Sequence, residues 1–215
     1  MGALVDNLDL ILKGFWTTIQ LTAVAGLAAL VLGTILASFR VSPVPPLRWF
    51  GAGYVEIIRN TPLTLVFFFM VFVAPRLDVV IGFKTSAYVA LSIYTAAFVC
   101  EAVRSGINSV STGQAEAARA VGMTFSQSLS TVVLPQAMRT VIPPLINILV
   151  ALTKNTSVAA GFFITELFGQ GRTLAIENPV EGTWLLSGVA VAYLIITVPT
   201  GLAAARLERK VAIAR

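Results

Sequence analysis

The chain has 215 residues, 57% of them hydrophobic and only 12% charged, with a mean hydropathy of +0.87. A soluble domain needs a solvated surface that this composition does not supply, so the chain resides in a bilayer; at about 20 apolar residues per helical span it holds about five spans and leaves no room for a separate soluble catalytic domain. The net charge of +5 comes with no histidine and a single cysteine, Cys100, which excludes an internal disulfide and the usual transition-metal ligand sets, and the basic residues collect at span ends as topology signals instead of forming a nucleic-acid surface.

Asp6 and Asp9 stand where a cleavable signal peptide would carry basic residues, so the first hydrophobic stretch is expected to stay. Leu4, Val5, Leu8, Ile11, Leu12 and Phe15 recur at helical spacing and predict a short interfacial helix leading into a first span at roughly 15–39. Arg40, Ser42, Pro43, Pro45, Pro46 and Arg48 predict a stiff basic turn, followed by a second hydrophobic helix at about 54–74. Pro62 cannot donate to the carbonyl of Ile58 and disfavours helix at Thr61, so that second helix is expected to kink there. A polar loop at 75–86 precedes a third span near 87–105; the fourth lies near 141–163 and the fifth near 184–204, with Pro199 expected to kink it. Placing Arg40, Arg48, Arg59, Arg104, Arg119, Arg139, Arg206, Arg209, Lys210 and Arg215 on one side leaves only Lys13, Arg76, Lys84 and Arg172 opposite. The positive-inside rule then puts the amino terminus outside, the carboxyl terminus inside and the segment of about 108–139 in the cytoplasm.

That segment is the longest polar excursion in the chain. Ser111 with Gln114 and Thr124 with Gln127 each fit a capping box, so two helices are expected to start just after Ser111 and Thr124. Gly122 supplies a left-handed end to the first, and Pro135 is expected to close the second. Alanines at 115, 117, 118 and 120 let a partner's groove approach the backbone, and Glu116 offers it an acceptor.

Glu116-Ala117-Ala118, then Gly122, then Val132 and Leu134-Pro135 at their present spacing resemble the coupling motif of the membrane subunits of ABC importers. Gly14-Phe15-Trp16-Thr17-Thr18, Arg59-Asn60-Thr61-Pro62-Leu63, Ala97 with Glu101 and Arg104, Gly106-Ile107 and Lys154-Asn155-Thr156-Ser157 are similar to stretches of the polar amino acid branch of that family, which takes histidine, glutamine, glutamate or arginine. The resemblance implies an all-α integral membrane protein, about five helices in the type I ABC importer permease fold, as one permease domain over 1–215 in the bacterial plasma membrane. It implies cytoplasmic ATPase subunits docked on Glu116, Ala117, Ala118, Gly122, Leu134 and Pro135, an extracytoplasmic solute-binding protein, a second permease copy or a paralogue, and surrounding lipid. ATP and magnesium belong to the ATPase, since this chain has no Gly-x4-Gly-Lys-Ser/Thr run and Gly169-Gln170-Gly171 is no nucleotide loop.

Polar residues inside spans are costly, by about 2.5–3.5 kcal/mol for a charge on insertion scales, and face a cavity or one another. Glu101 and Arg104 share a helix face, and are read either as contacts for the ammonium and carboxylate of an amino acid or as a structural ion pair. Thr61 at the Pro62 kink lines a path or only shapes packing, with Glu56 and Arg59 as an interfacial pair. Lys154, Asn155, Thr156 and Ser157 interrupt the fourth span, read as a broken helix offering donors to substrate or as hydrogen-bond glue between spans. Relatives of the resembled branch carry aspartate at Asn155, which tilts the expected substrate toward glutamate, then aspartate or glutamine. The competing classes are a passive channel, which leaves the docking segment unexplained, and an intramembrane enzyme using Ser157 and Lys154, which lacks the commonest base, histidine.

Overall fold

The computed structural model describes residues 2–213, with side chains through Arg209; Arg215 and the side chain of Lys210, both placed above on the basic side, lie outside the described residues. The described residues form helices and no strand. α1 (Gly2–Asp6) is a single turn and a half, and α2 (Leu8–Val41) is one continuous helix of 34 residues. The interfacial segment expected before Phe15 is thus largely part of the first span: no proline separates Leu8 from Phe15, and Gly14 stays within α2, packed against Leu167 and Gln170. At 1.5 Å per residue α2 is about 50 Å long, well beyond a hydrocarbon core of about 30 Å.

The basic turn is shorter than its sequence suggests. Pro45 and Pro46 occupy the first turn of α3 (Pro45–Arg59), where a missing N–H costs nothing. α3 stops at Arg59, α4 (Leu63–Phe68) resumes after Pro62, and the two are bent by 102°. The second hydrophobic helix is therefore sharply bent at Pro62, as its sequence predicts, and it begins at Pro45 instead of Tyr54. A π-turn at Phe69–Val73 and a 3₁₀ turn at Ala74–Leu77 end it, with Asp78 in the left-handed region at φ 63°.

α5 (Phe83–Asn108) is the central helix, packed against α2, α3, α4 and α8. Its closeness to α2 rests on small residues: a Cβ built on Gly33 would stand 2.6 Å from Val99 Cβ and 2.8 Å from the Ala96 carbonyl. The polar segment between the third and fourth spans comprises α6 (Thr112–Ala120) and α7 (Phe125–Gln127). Pro135 does not close the second helix. A π segment at Ser128–Val133 runs into α8 (Leu134–Asn155), so Pro135 sits in the first turn of α8 and its absent N–H falls where the ladder has already shifted register. α8 also passes through Pro143 and Pro144.

After Asn155 the chain tightens into a 3₁₀ stretch, Thr156–Phe162, ending at Phe163 with φ 65°. α9 (Leu167–Glu177) was not foreseen: eleven residues with two glycines and an arginine are too short and too polar to read as a span. α10 (Gly182–Ile213) continues through Pro199 without interruption. Three apolar clusters hold the bundle, around Leu21, Phe67 and Leu91, around Leu36, Ala97 and buried Cys100, and around Ile11, Leu167 and Leu185.

Candidate functional site

The polar segment at 112–135 has the bent form its sequence encodes. Gly122 adopts φ +89°; the Gly122 N–H donates to the Arg119 carbonyl at 3.0 Å and the Met123 N–H to the Ala118 carbonyl at 3.1 Å, so the last carbonyls of α6 are satisfied by a Schellman turn. Thr124 and Gln127 form a reciprocal capping box, with the Gln127 N–H donating to Thr124 Oγ1 at 3.3 Å and the Thr124 N–H to Gln127 Oε1 at 2.9 Å. Ser111 precedes α6 as expected, but its side chain makes no cap bond, so the box predicted with Gln114 is not formed. Glu116 and Ala117 are exposed while Ala118 is buried, and Leu134 and Pro135 are exposed at the far side of the turn. Sequence reasoning missed Val121 and Phe125, which flank Gly122 and are each 77% exposed. Their apolar side chains on a water-facing elbow are the kind of anchor a partner's pocket buries.

Glu101 on α5 is held between two cations. Arg40 at the end of α2 donates through Nη1 to Glu101 Oε1, and Arg104 Nη2 lies 3.0 Å from Oε2. Both carboxylate oxygens are thus occupied, and Arg104 Nε is buried without a partner. Beside this cluster the α3–α4 break opens a cavity of about 330 Å³ lined by Arg40, Glu56, Arg59, Asn60, Phe98 and Glu101. Arg59 does not pair with Glu56; its guanidinium lies 5.6 Å over the Phe98 ring. The Ile58 carbonyl, which Pro62 cannot serve, accepts from the Thr61 N–H at 3.2 Å, and the Thr61 hydroxyl donates to the Ile57 carbonyl at 2.7 Å.

Lys154 and Ser157 line a second cavity, of about 370 Å³, together with Phe168, Leu186, Val189, Ala190 and Tyr193. Lys154 is exposed, Asn155 half-buried and Thr156 fully buried. The hydroxyls of Thr156 and Ser157 donate to the carbonyls of Thr153 and Lys154, each at 2.7 Å. Two of the four expected donors therefore repair the end of α8, and the Ser157 hydroxyl is aimed at a carbonyl instead of the Lys154 amine. Tyr193 lies about 16 Å along α10 from Gly182, so this cavity opens well inside the length of that helix. The cluster around Glu101 and the one around Lys154 line different cavities of the chain.

Glu166 was also missed. It is fully buried, at 0% exposure, and its carboxylate accepts from four donors on three elements: the N–H groups of Phe168 (3.0 Å) and Gly169 (2.8 Å) at the start of α9, the Thr18 hydroxyl (3.3 Å) of α2 and the Tyr193 hydroxyl (2.6 Å) of α10. Thr18 Oγ1 in turn accepts from the Leu167 N–H at 3.1 Å. Glutamate is not among the preferred N-cap residues, so only its position as the sole acid between Glu116 and Glu177 offered a signal.

Residues 29–213 match the family described as the binding-protein-dependent transport system inner membrane component. The chain is 40% identical over 216 residues to the glutamate transport system permease protein GluC of Corynebacterium efficiens, covering 94% of each chain. It is 39% identical over 214 residues to the probable glutamine ABC transporter permease protein GlnM of Bacillus subtilis, covering 98% of this chain and 97% of that one. Among solved structures, a crystal structure of an amino acid ABC transporter with histidines superposes with a TM-score of 0.89 at 26% identity, covering 96% of each chain.

Proposed function

Because the chain belongs to the family of binding-protein-dependent transport system inner membrane components, a multi-pass inner-membrane family, we propose that it is the permease half of an ATP-driven importer for a polar amino acid, glutamate first and then aspartate or glutamine. The names of its relatives, glutamate and glutamine permeases at about 40% identity, support that substrate class. The single observation that carries the coupling is the elbow at 112–135, in which a Schellman turn and a capping box fix a polar helix pair with Glu116, Val121 and Phe125 exposed.

In this reading the elbow faces the cytoplasm and seats in an ATPase subunit that holds ATP and magnesium. The amino terminus lies outside, where a solute-binding protein delivers substrate. A second copy or a paralogue completes the path, since the polar cavities of the chain open at its surface. Lys154 and Asn155 at the end of α8 supply donors to the substrate's carboxylate groups, Ser157 lines the same cavity with its hydroxyl bound to the Lys154 carbonyl, Thr156 holds that turn in shape, and Thr61, Glu101 and Arg104 form the inner end of the path. The test is reconstitution in proteoliposomes with the ATPase and binding proteins of the same transporter and labelled glutamate. ATP-dependent glutamate uptake, lost in Glu116→Lys together with ATPase retention, is the expected result. Retained ATP-coupled uptake in that variant refutes the docking assignment.

A further inference from the structure

We propose that Glu166 is a positioning residue for transport: by accepting the Tyr193 hydroxyl it fixes the wall of the cavity that holds Lys154 and Ser157, and it ties that wall to α2 and α9. The inference rests on the reading above that this cavity belongs to the substrate path.

A carboxylate that is fully buried with no cation against it is expensive, and a purely structural N-cap would be served by aspartate, asparagine or serine at lower cost. Glu166 is long enough to do more. One oxygen caps α9 through the Gly169 N–H, while the other gathers the Phe168 N–H, Thr18 and Tyr193. Tyr193 is the one cavity-lining residue with a polar tip on α10, and its shortest hydrogen bond is the 2.6 Å contact to Glu166. Phe168, another lining residue, is held through its backbone by the same oxygen. Two of the cavity's walls, on α9 and α10, therefore take their positions from one carboxylate, and that carboxylate is itself anchored to α2. A wall so fixed presents Lys154 and Ser157 with a constant opening. Without it, the Tyr193 hydroxyl loses its shortest hydrogen bond and with it part of what holds the ring at the cavity wall.

The experiment uses the assembled transporter in proteoliposomes, with Tyr193→Phe, Glu166→Gln, their double variant and Lys154→Ala. Uptake is expressed per assembled complex and read as a maximal rate and as the concentration of liganded binding protein at half-saturation. Tyr193→Phe removes a single donor without touching the α9 cap, and is expected to lower the maximal rate about fivefold, the size of one hydrogen bond, with half-saturation unchanged. The slowing in the double variant is expected to fall short of the product of the two single effects, because Glu166 and Tyr193 are in direct contact and share part of their loss. Multiplying effects, or a wild-type rate in Tyr193→Phe while Lys154→Ala is impaired, overturn the inference and leave the site reading standing. A wild-type rate in Lys154→Ala overturns both. Should Glu166→Gln fail to assemble, Tyr193→Phe against Lys154→Ala decides alone.

Discussion

Adding one methyl group to Gly33 should separate the two helices at the centre of the bundle. The new Cβ would lie 2.6 Å from both Cβ and Cγ1 of Val99 and 2.8 Å from the Ala96 carbonyl oxygen, whereas carbon atoms rest at about 3.5–4.0 Å, so α2 and α5 must part by roughly 1 Å. Neither neighbour can yield, since Val99 is 2% exposed and the oxygen is main chain. Overpacking of this kind costs about 1–3 kcal/mol, and the rigid partners put it in the upper part of that range. Alanine recovers about 1 kcal/mol of helix propensity, leaving a net loss of about 1–2 kcal/mol. At this chain length that lowers Tm by about 3–6 °C in a detergent melting assay. Gly53→Ala is the paired measurement: nothing lies within 4 Å of a Cβ there, in the interior of α3, so the same substitution should raise stability by about 0.5–1 kcal/mol. Shifts of the same sign in the two variants would refute the reasoning, because they would show that backbone entropy, and not contact with Val99, decides both.

Three further outcomes are expected. Gly122→Val forces a β-branched residue into φ +89°, costing about 1–2 kcal/mol in the elbow; pull-down of the ATPase should weaken while the melting temperature of the spans holds. Thr124→Ala removes the reciprocal cap of α7 at about 1 kcal/mol, which should appear as faster amide exchange at Phe125–Ser128 with no change at α5. Glu101→Ala strands Arg40 and Arg104, which are 18% and 33% exposed, so the loss should be about 1–2 kcal/mol, below the 3–5 kcal/mol of a fully buried pair. Melting of the purified protein checks it, and a companion Arg40→Met, Glu101→Met, Arg104→Met variant should recover most of the loss.

Legibility followed the range of the signal. Pro62, Gly122 and the Thr124–Gln127 box act through bonds within a few residues, and each appears in the structure where its sequence places it. The Ser111 cap and the stop at Pro135 failed for a local reason of another kind: Ser111 stands at the right position but its side chain makes no cap bond, and a π-turn upstream makes Pro135 harmless. The second span was placed too late because prolines at 45 and 46 look like a turn, yet start helices as readily as they end them. Glu101 with Arg104 was visible at i, i+3, but Arg40, which comes from another helix, was not. Glu166 lay beyond reach altogether: two of its four donors come from residues 148 positions before it and 27 after it, and no periodicity announces such a meeting.

The uninterrupted run from Phe125 to Phe162 has a mechanical meaning. Its first turn carries the apolar ring exposed on the elbow, and Lys154 follows 29 residues later, about 44 Å of helix contour at 1.5 Å per residue. No glycine interrupts that stretch before Gly161, and its prolines lie inside continuing helix. If the elbow seats in an ATPase as proposed above, a displacement there has an unbroken helical backbone along which to reach the polar end of α8, and the π segment and the prolines at 135, 143 and 144 are the points at which that backbone would bend first.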